Sequence, residues 1–194
     1  MVKREHVERI FIETGAMLEG HFQLTSGRHS DRYFQCAMVL QYPEHTADLC
    51  RELAERFAGL EVDAVVGPAV GGIVLSYEMG RALGVRSLFT ERENGVMKLR
   101  RGFSIAPGEK ILVVEDVITT GGSIKEAIAA VREQGGVVVG VGALVDRSSG
   151  TVDFGVRAEA LLVTEAVSYL PEECPLCAEG SVAVKPGSRG NVQF

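Results

Sequence analysis

The segment 111–123 constrains this chain more than any other part of its sequence. It opens with an unbroken apolar run rich in β-branched residues, typical of a parallel strand that is buried on both faces. Glu115 and Asp116 end the run, and a Thr/Gly/Ser cluster follows them. From Ile124 onward apolar residues recur at helical spacing, with Ser123 as the expected N-cap. The segment therefore predicts a strand, an acidic edge, a small-residue loop and a helix N-terminus.

Such a loop can bind a phosphate group. Gly121 and Gly122 let the backbone fold closely around an anion, and the free N–H groups of the helix start point toward it. Thr119, Thr120 and Ser123 add hydroxyl donors. The two acids suit hydroxyl groups or a nearby Mg²⁺, so a ligand such as ribose 5-phosphate fits. The alternative is an ordinary strand-to-helix turn with a serine cap and two solvated acids.

A second unit of the same kind precedes it, with a short strand at 64–66, a glycine-rich loop at 67–72 and a helix over about 72–83. Glycines after a strand are a weak signal alone, because close helix–strand packing also favours them. Two such loops on successive units are a stronger signal, since both would lie at the carboxyl edge of one sheet. We therefore expect the loop at 67–72 to form a second anion-binding site at this edge of the sheet.

The remaining patterns predict an α/β fold, a mostly parallel sheet flanked by helices, in a single domain spanning 1–194. Five β segments alternate with helices, and an antiparallel ribbon at 20–35 would form a small N-terminal hood (1–40) over the carboxyl edge. The other predicted elements are helices at 3–14 and 44–58 and strands at 87–89, 137–145 and 160–163.

Asp146 and Arg147 follow the strongly apolar strand that starts at Val137. An arginine at this edge is well placed for an anionic substrate, and its planar fork suits a carboxylate. The alternative is a loop arginine that pairs with Asp146.

Charge and cysteine content narrow the function classes. The net charge of −6 argues against general nucleic-acid binding. No signal peptide or membrane-spanning run is visible, so we expect a cytoplasmic enzyme without a nucleic-acid or membrane partner.

Cys174 and Cys177 form a single CxxC motif. It is either a structural thiol pair or exposed disulfide, or half of a zinc site that a second subunit completes.

Residues 113–123 resemble the signature of the type I phosphoribosyltransferases, which bind 5-phosphoribosyl 1-diphosphate (PRPP). The resemblance implies that Glu115 and Asp116 contact the ribose hydroxyls. It also implies a loop for the 5-phosphate, formed by Val117, Ile118, Thr119, Thr120, Gly121, Gly122 and Ser123, and a diphosphate loop that includes Ala69, Val70 and Gly71. The segment is not a P-loop, since no Gly-Lys-Ser/Thr is present.

The ribbon is similar to the hood of the orotate branch of this family. The matching residues are Leu24, Ser26, Gly27, Arg28, Ser30, Tyr33 and Phe34, whereas Thr25 stands where that pattern has a lysine. The resemblance implies that orotate is bound by Thr119, Arg147, Tyr33 and Phe34. The tail from Lys185 to Arg189 also resembles the ending of many members.

In that branch the region corresponding to 90–102 is a mobile lid, often closing from the neighbouring subunit. The resemblance therefore implies a homodimer with a shared lid, whose best cations are Arg92 and Lys98. We expect these two to act with Glu115 and Asp116 in catalysis, and Arg92 to contact PRPP. Mg²⁺ would be bound mainly through the substrate. Arg100 and Arg101 are either lid cations or solvent-facing strand residues.

The implied reaction transfers the phosphoribosyl group of PRPP to orotate, giving orotidine 5′-monophosphate and diphosphate. One alternative is a phosphoribosyltransferase for another base, against which the hood and Arg147 argue. The other is a non-catalytic PRPP-sensing regulator, which would carry a DNA-binding domain and a basic surface.

Overall fold

The computed structural model describes residues 4–24, 26–164 and 168–186. Its centre is a six-stranded sheet of β3 (Ala64–Pro68), β4 (Arg86–Glu93), β5 (Val96–Leu99), β6 (Lys110–Ile118), β7 (Val137–Asp146) and β8 (Ala158–Val163). The spatial order is β5-β4-β3-β6-β7-β8. All neighbours are parallel except β5, which pairs antiparallel with β4. The five predicted strands are confirmed, and β5 is an addition inside the region expected to form a lid.

The helices agree with the predicted positions to within a few residues. They are α1 (Arg4–Glu13), α2 (Ala37–Leu40), α3 (Pro43–Glu55), α4 (Gly71–Leu83), α5 (Gly122–Glu133) and α6 (Pro175–Ala178), with a 3₁₀ turn at Pro171–Glu173. The short helices α2 and α6 were not predicted. The expected cap of α5 was wrong: Gly121, in the left-handed region at φ 71°, precedes the helix. This glycine turns the chain so tightly that Ser123 already lies in the first helical turn.

Two apolar cores cover the two faces of the sheet. Alternate strand residues point to opposite faces, so Leu112 and Val114 join the core with α1, α3 and α4. Ile111 and Val113 face the other way, toward α5. Since residues 111–114 of β6 are buried, its side chains emerge only at the two ends of the strand, and the acidic residues stand at the carboxyl end.

The predicted hood is present as an antiparallel ribbon of β1 (Met17–Gln23) and β2 (His29–Phe34). Both strands are also bridged to the segment 168–186: His29 pairs with Tyr169, and Phe22 pairs with Val184. Thr25, where the family pattern has lysine, and residues 187–194 of the tail lie outside the described residues. No helix among the described residues is long and apolar enough to cross a membrane.

Candidate active site

A cavity of about 480 Å³ lies between the hood and the carboxyl edge of the sheet. This volume is within the usual range for small-molecule sites. Its walls come from the hood, from the loop after β6, from the end of β7 and from the C-terminal segment; the lining residues are Leu24, Ser26, Tyr33, Thr119, Thr120, Arg147 and Ser168. Three predicted orotate-binding residues, Tyr33, Thr119 and Arg147, therefore line one cavity.

The register of the sheet explains why Thr119 and Arg147 converge. Ile118 pairs with Asp146 at the carboxyl ends of β6 and β7. The backbone N–H of Arg147 then donates to the carbonyl of Ile118 at 2.9 Å. The residues that follow these two strands consequently enter the cavity side by side.

Arg147 carries an unsatisfied donor. Its Nε is buried and makes no hydrogen bond with any residue that the structure describes. The alternative of a pair with Asp146 is wrong, because that carboxylate accepts from Ser148 N and Oγ, at 2.7 and 2.6 Å, and from Gly150 N. Burial lowers the pKa of Arg147 from its ordinary value, opposed by Tyr33 and Asp31. A buried cation with a free donor is a site for an anion.

Phe34 of the hood packs against the guanidinium of Arg147. Phe34 does not line the cavity but lies under Arg147, with the guanidinium carbon 5.8 Å from the ring centroid. This is a cation–π contact, and it orients the fork without using its donors. Burial raises the pKa of Tyr33, and the nearby Arg147 charge opposes that shift. Phe34 therefore positions the guanidinium, while Tyr33 offers a hydroxyl to the cavity.

The acidic pair lies at the end of β6, which continues through both acids to Ile118. Burial, and then the charge of Asp116, raises the pKa of Glu115 to about 7, against a hydrogen bond from Ser123. Burial also raises the pKa of Asp116, although the backbone N–H of Val117 donates to its Oδ1 at 3.0 Å. Such carboxylates gain from a ligand that donates hydrogen bonds to them.

The glycine-rich loop before α4 lies directly against Asp116. A Cβ on Gly71 would stand 2.8 Å from the Asp116 carboxylate, so only glycine leaves this approach open. The loop is held at its base by the Ala69 N–H, which donates to the Thr90 carbonyl at 2.7 Å, and the Ala69–Val70 peptide is cis. The two predicted anion loops thus flank the acidic pair.

The phosphate loop is packed closely against the chain beyond β7. A Cβ on Gly121 would lie 2.7 Å from Val152 and 2.9 Å from Phe154. Thr119, Thr120 and Gly122 are exposed at the cavity edge, and Ser123 is half-buried. Of the predicted loop members, Val117 and Ile118 instead belong to β6, and the Ile118 side chain is in the core. The exposed residues of the loop are therefore Thr119, Thr120 and Gly122, whereas Gly121 is buried.

Residues 90–102 contain a β-hairpin instead of an open loop. β4 and β5 are joined by Asn94 and Gly95, at φ 52° and 82°, which is the two-residue turn that suits the twist of a hairpin. The four basic residues of the hairpin have acidic partners: Arg92 with Glu126 at 2.6 Å, Lys98 with Glu93 at 3.2 Å, and Arg100 and Arg101 with Glu91 at 3.5 and 3.0 Å. None of the four lines the cavity among the described residues.

Sequence reasoning missed three lining residues, Leu24, Ser26 and Ser168. Leu24 and Ser26 belong to the hood pattern, so that pattern was their signal. Ser168 had none, because it reaches the cavity through tertiary contacts. Its hydroxyl and carbonyl both accept hydrogen bonds from the Arg28 side chain, at 2.8 and 2.5 Å.

Comparison with known proteins places the chain among close relatives. The phosphoribosyl transferase domain model matches residues 38–154. An orotate phosphoribosyltransferase from Pelotomaculum thermopropionicum is 68% identical over 186 residues, covering 96% of this chain and 98% of the relative. One from Desulforamulus reducens is 64% identical over 188 residues, covering 97% and 98%. The crystal structure of orotate phosphoribosyltransferase from Mycobacterium tuberculosis with PRPP has a TM-score of 0.65 at 26% identity, covering 82% of this chain and 96% of that one.

Proposed function

The chain belongs to the orotate phosphoribosyltransferases, and we propose that it divides its two substrates between two parts of one site. PRPP would occupy the acidic pair and its two flanking loops, and orotate the cavity under the hood. The observation that carries this proposal is the unsatisfied donor of Arg147 in that cavity. Orotate differs from uracil by one carboxylate, which supplies the anion that this donor lacks.

The reaction moves the phosphoribosyl group of PRPP to a ring nitrogen of orotate. The C1–oxygen bond breaks and the diphosphate leaves with its electron pair, while the ring nitrogen of orotate forms the new bond to C1 and gives up its proton to the departing diphosphate or to solvent. The protein has to position both partners and keep competing water away from C1. Glu115 and Asp116 would hold the ribose hydroxyls, 119–123 the 5-phosphate, and Ala69, Val70 and Gly71 the diphosphate.

The chemistry of the acidic pair fits Mg²⁺, a hard cation that prefers carboxylate oxygens, water and substrate phosphates. Asp116 borders the diphosphate loop, where it could reach an ion held by PRPP. The pair offers only two carboxylates, so the remaining ligands would come from the substrate and water. When bound, the ion would neutralise charge on the departing diphosphate.

The homodimer is supported by an apolar stripe beside the diphosphate loop. Val70, which directly precedes α4, and Val74 and Tyr77 on the outer face of that helix recur at helical spacing and are 82%, 46% and 68% exposed. A second copy of the chain that covered this stripe would bring its own residues next to Gly71. The hairpin 90–102 is our candidate for that contribution, and its surface ion pairs are weak enough, at about 0–1 kcal/mol each, to exchange partners.

Two experiments separate these proposals. A phosphoribosyl-transfer assay with orotate, uracil, hypoxanthine and adenine should consume orotate only, and equal turnover of a purine would contradict the assignment of orotate as the base.

The shared lid is tested by mixing an Arg92→Ala/Lys98→Ala protein with an Asp116→Asn protein and allowing their subunits to exchange. Hybrid dimers should regain activity because one composite site is intact. Proven hybrids without activity would mean that each hairpin serves its own subunit or none.

A further inference from the structure

Four potential metal ligands meet where the hood contacts the C-terminal segment. They are His21 and His29 of the ribbon and the CxxC cysteines, Cys174 and Cys177, and one ligand atom from each lies within 4.8 Å of the others. Both cysteines are free thiols, so the expected disulfide between them is wrong. The two ligands that a CxxC motif lacks come from the same chain, about 150 residues upstream in sequence, so no second subunit has to complete the site.

Three of the distances between ligand atoms match a tetrahedral ion, and every pair lies within 4.8 Å. Zinc bonds of about 2.3 Å to sulfur and 2.0–2.1 Å to nitrogen place neighbouring ligand atoms roughly 3.3–3.8 Å apart. In the structure Cys177 Sγ lies 3.3 Å from His29 Nδ1 and 3.7 Å from His21 Nε2, and Cys174 Sγ lies 3.5 Å from His21 Nε2. The two nitrogens are 2.9 Å apart and would separate by a few tenths of an ångström.

The surroundings of His21 already fix the tautomer that metal binding through Nε2 requires. His21 Nδ1 lies 3.1 Å from the Ser181 carbonyl oxygen, which can only accept a hydrogen bond. Nδ1 is therefore the protonated nitrogen, and the Nε2 lone pair points into the cluster. Metal-binding histidines commonly have this outer partner, because it fixes both the tautomer and the ring orientation.

The packing of the C-terminal segment supplies an independent reason for a metal. Within 168–186 the only buried residue is Cys174, so this stretch has almost no apolar core of its own. Backbone bridges at Tyr169 and Val184 attach it to the two strands of the ribbon. A segment with so little apolar burial commonly depends on a cross-link, and a tetrahedral metal site supplies that stability.

We propose that His21, His29, Cys174 and Cys177 bind one Zn²⁺ ion that fastens the C-terminal segment to the hood. Two thiolates and two neutral imidazoles balance the ion's charge, as a mostly buried site requires, and their softness and geometry suit zinc. All four positions are filled by protein, so the ion is structural and has no open position for catalysis. The ligand His29 follows Arg28, whose partner Ser168 lines the cavity.

The test is the metal content of the full chain, purified without an affinity tag and under a thiol reductant. Elemental analysis should find about one zinc per chain. The chain has four histidines, which provides a matched control. His21→Asn/His29→Asn should lose the metal, whereas His6→Asn/His45→Asn should keep it. Circular dichroism checks that both variants fold.

A second measurement keeps the proposal falsifiable if the first variant fails to fold. Exchange of zinc for Co²⁺ in the unaltered chain should give the visible absorption of tetrahedral cobalt with thiolate ligands. A chelator should lower the melting temperature of the unaltered chain. Reduced protein that binds neither metal, or equal zinc in both histidine variants, would overturn the site. Because no substrate is present, neither result depends on the proposed function.

Discussion

In the site that we propose, the PRPP end comes mainly from one short segment, whereas the orotate end is assembled from distant parts of the chain. Residues 115–123 supply the acidic pair and the phosphate loop in a row. The cavity for orotate instead needs Tyr33, Thr119, Arg147 and Ser168 from four elements. A contiguous site depends on local backbone geometry, but a discontinuous one depends on how firmly its parts are docked. Perturbations of the two ends should therefore affect different ligands.

The largest effect is expected at the acidic pair. Glu115→Gln with Asp116→Asn removes two charged acceptors for the ribose hydroxyls, each worth roughly 1.5–3 kcal/mol. PRPP binding should weaken by about 100-fold or more, with an unchanged circular dichroism spectrum. Calorimetric titration with PRPP measures this. A double variant that binds PRPP as tightly as the parent would show that the ribose lies elsewhere.

Because the pKa of Glu115 is raised to about 7, we expect PRPP binding to depend on pH. Ribose hydroxyls donate to the ionised carboxylate, so affinity should rise as pH increases through 7 and level off above it. Between pH 6 and 8 the gain should be roughly tenfold. Calorimetry in two buffers of different ionisation enthalpy should also detect proton release.

Glu115→Gln is the control for this pH effect. It cannot ionise, so it retains only the titration of the PRPP phosphate itself, whose pKa is about 6. If the parent and the variant show the same pH profile, Glu115 does not contact the ribose in its ionised form.

At the orotate end, the contact between the hood and the C-terminal segment can be weakened without changing any residue that lines the cavity. Arg28→Ala removes both hydrogen bonds to Ser168, one of the cavity walls. Orotate affinity should fall about tenfold, since the lower range for a charged hydrogen bond is near 1.5 kcal/mol. PRPP affinity should stay the same.

Arg32→Ala is the matched control for Arg28. Arg32 lies on the same ribbon, but its ion pair with Glu19, at 3.5 Å, is on the surface. Its loss should change neither affinity. Equal losses of orotate binding in the two variants would mean that general charge, and not docking, governs this end.

The smallest effect is expected for Thr119→Val. The change keeps the side-chain shape and removes one neutral hydroxyl from the cavity, which is worth roughly 0.5–1.5 kcal/mol. Orotate should bind about 2- to 10-fold more weakly, as measured by the same titration. A larger loss for PRPP than for orotate would assign this hydroxyl to the phosphate instead.

The difference between the two ends also explains what the sequence could predict. The strand, acidic pair and loop of 111–123 could be predicted because each has a recognisable pattern in the local sequence. Arg147 could be predicted because it follows β7, whose carboxyl end lies at the same edge of the sheet. The contact of Ser168 and the joining of His21 and His29 to the CxxC cysteines were not, since they arise only when distant segments pack.

The hairpin at 90–102 shows a signal that was present and unused. Asn94-Gly95 between two extended runs is typical of a tight hairpin turn, and it forms one here. The cap at Ser123 failed for a different reason. Gly121 is left-handed at a point where Val152 and Phe154 leave no room for a side chain, and the local sequence does not reveal this packing.

The most direct test of the divided site is to titrate Arg147→Ala separately with orotate and with PRPP. Loss of the guanidinium removes the partner of the orotate carboxylate, so orotate should bind about 10- to 150-fold more weakly, which corresponds to 1.5–3 kcal/mol. The PRPP affinity should not change, because Arg147 belongs to neither of the two loops that we assign to PRPP. If Arg147→Ala weakens PRPP and spares orotate, the two ligands have been assigned to the wrong ends of the site.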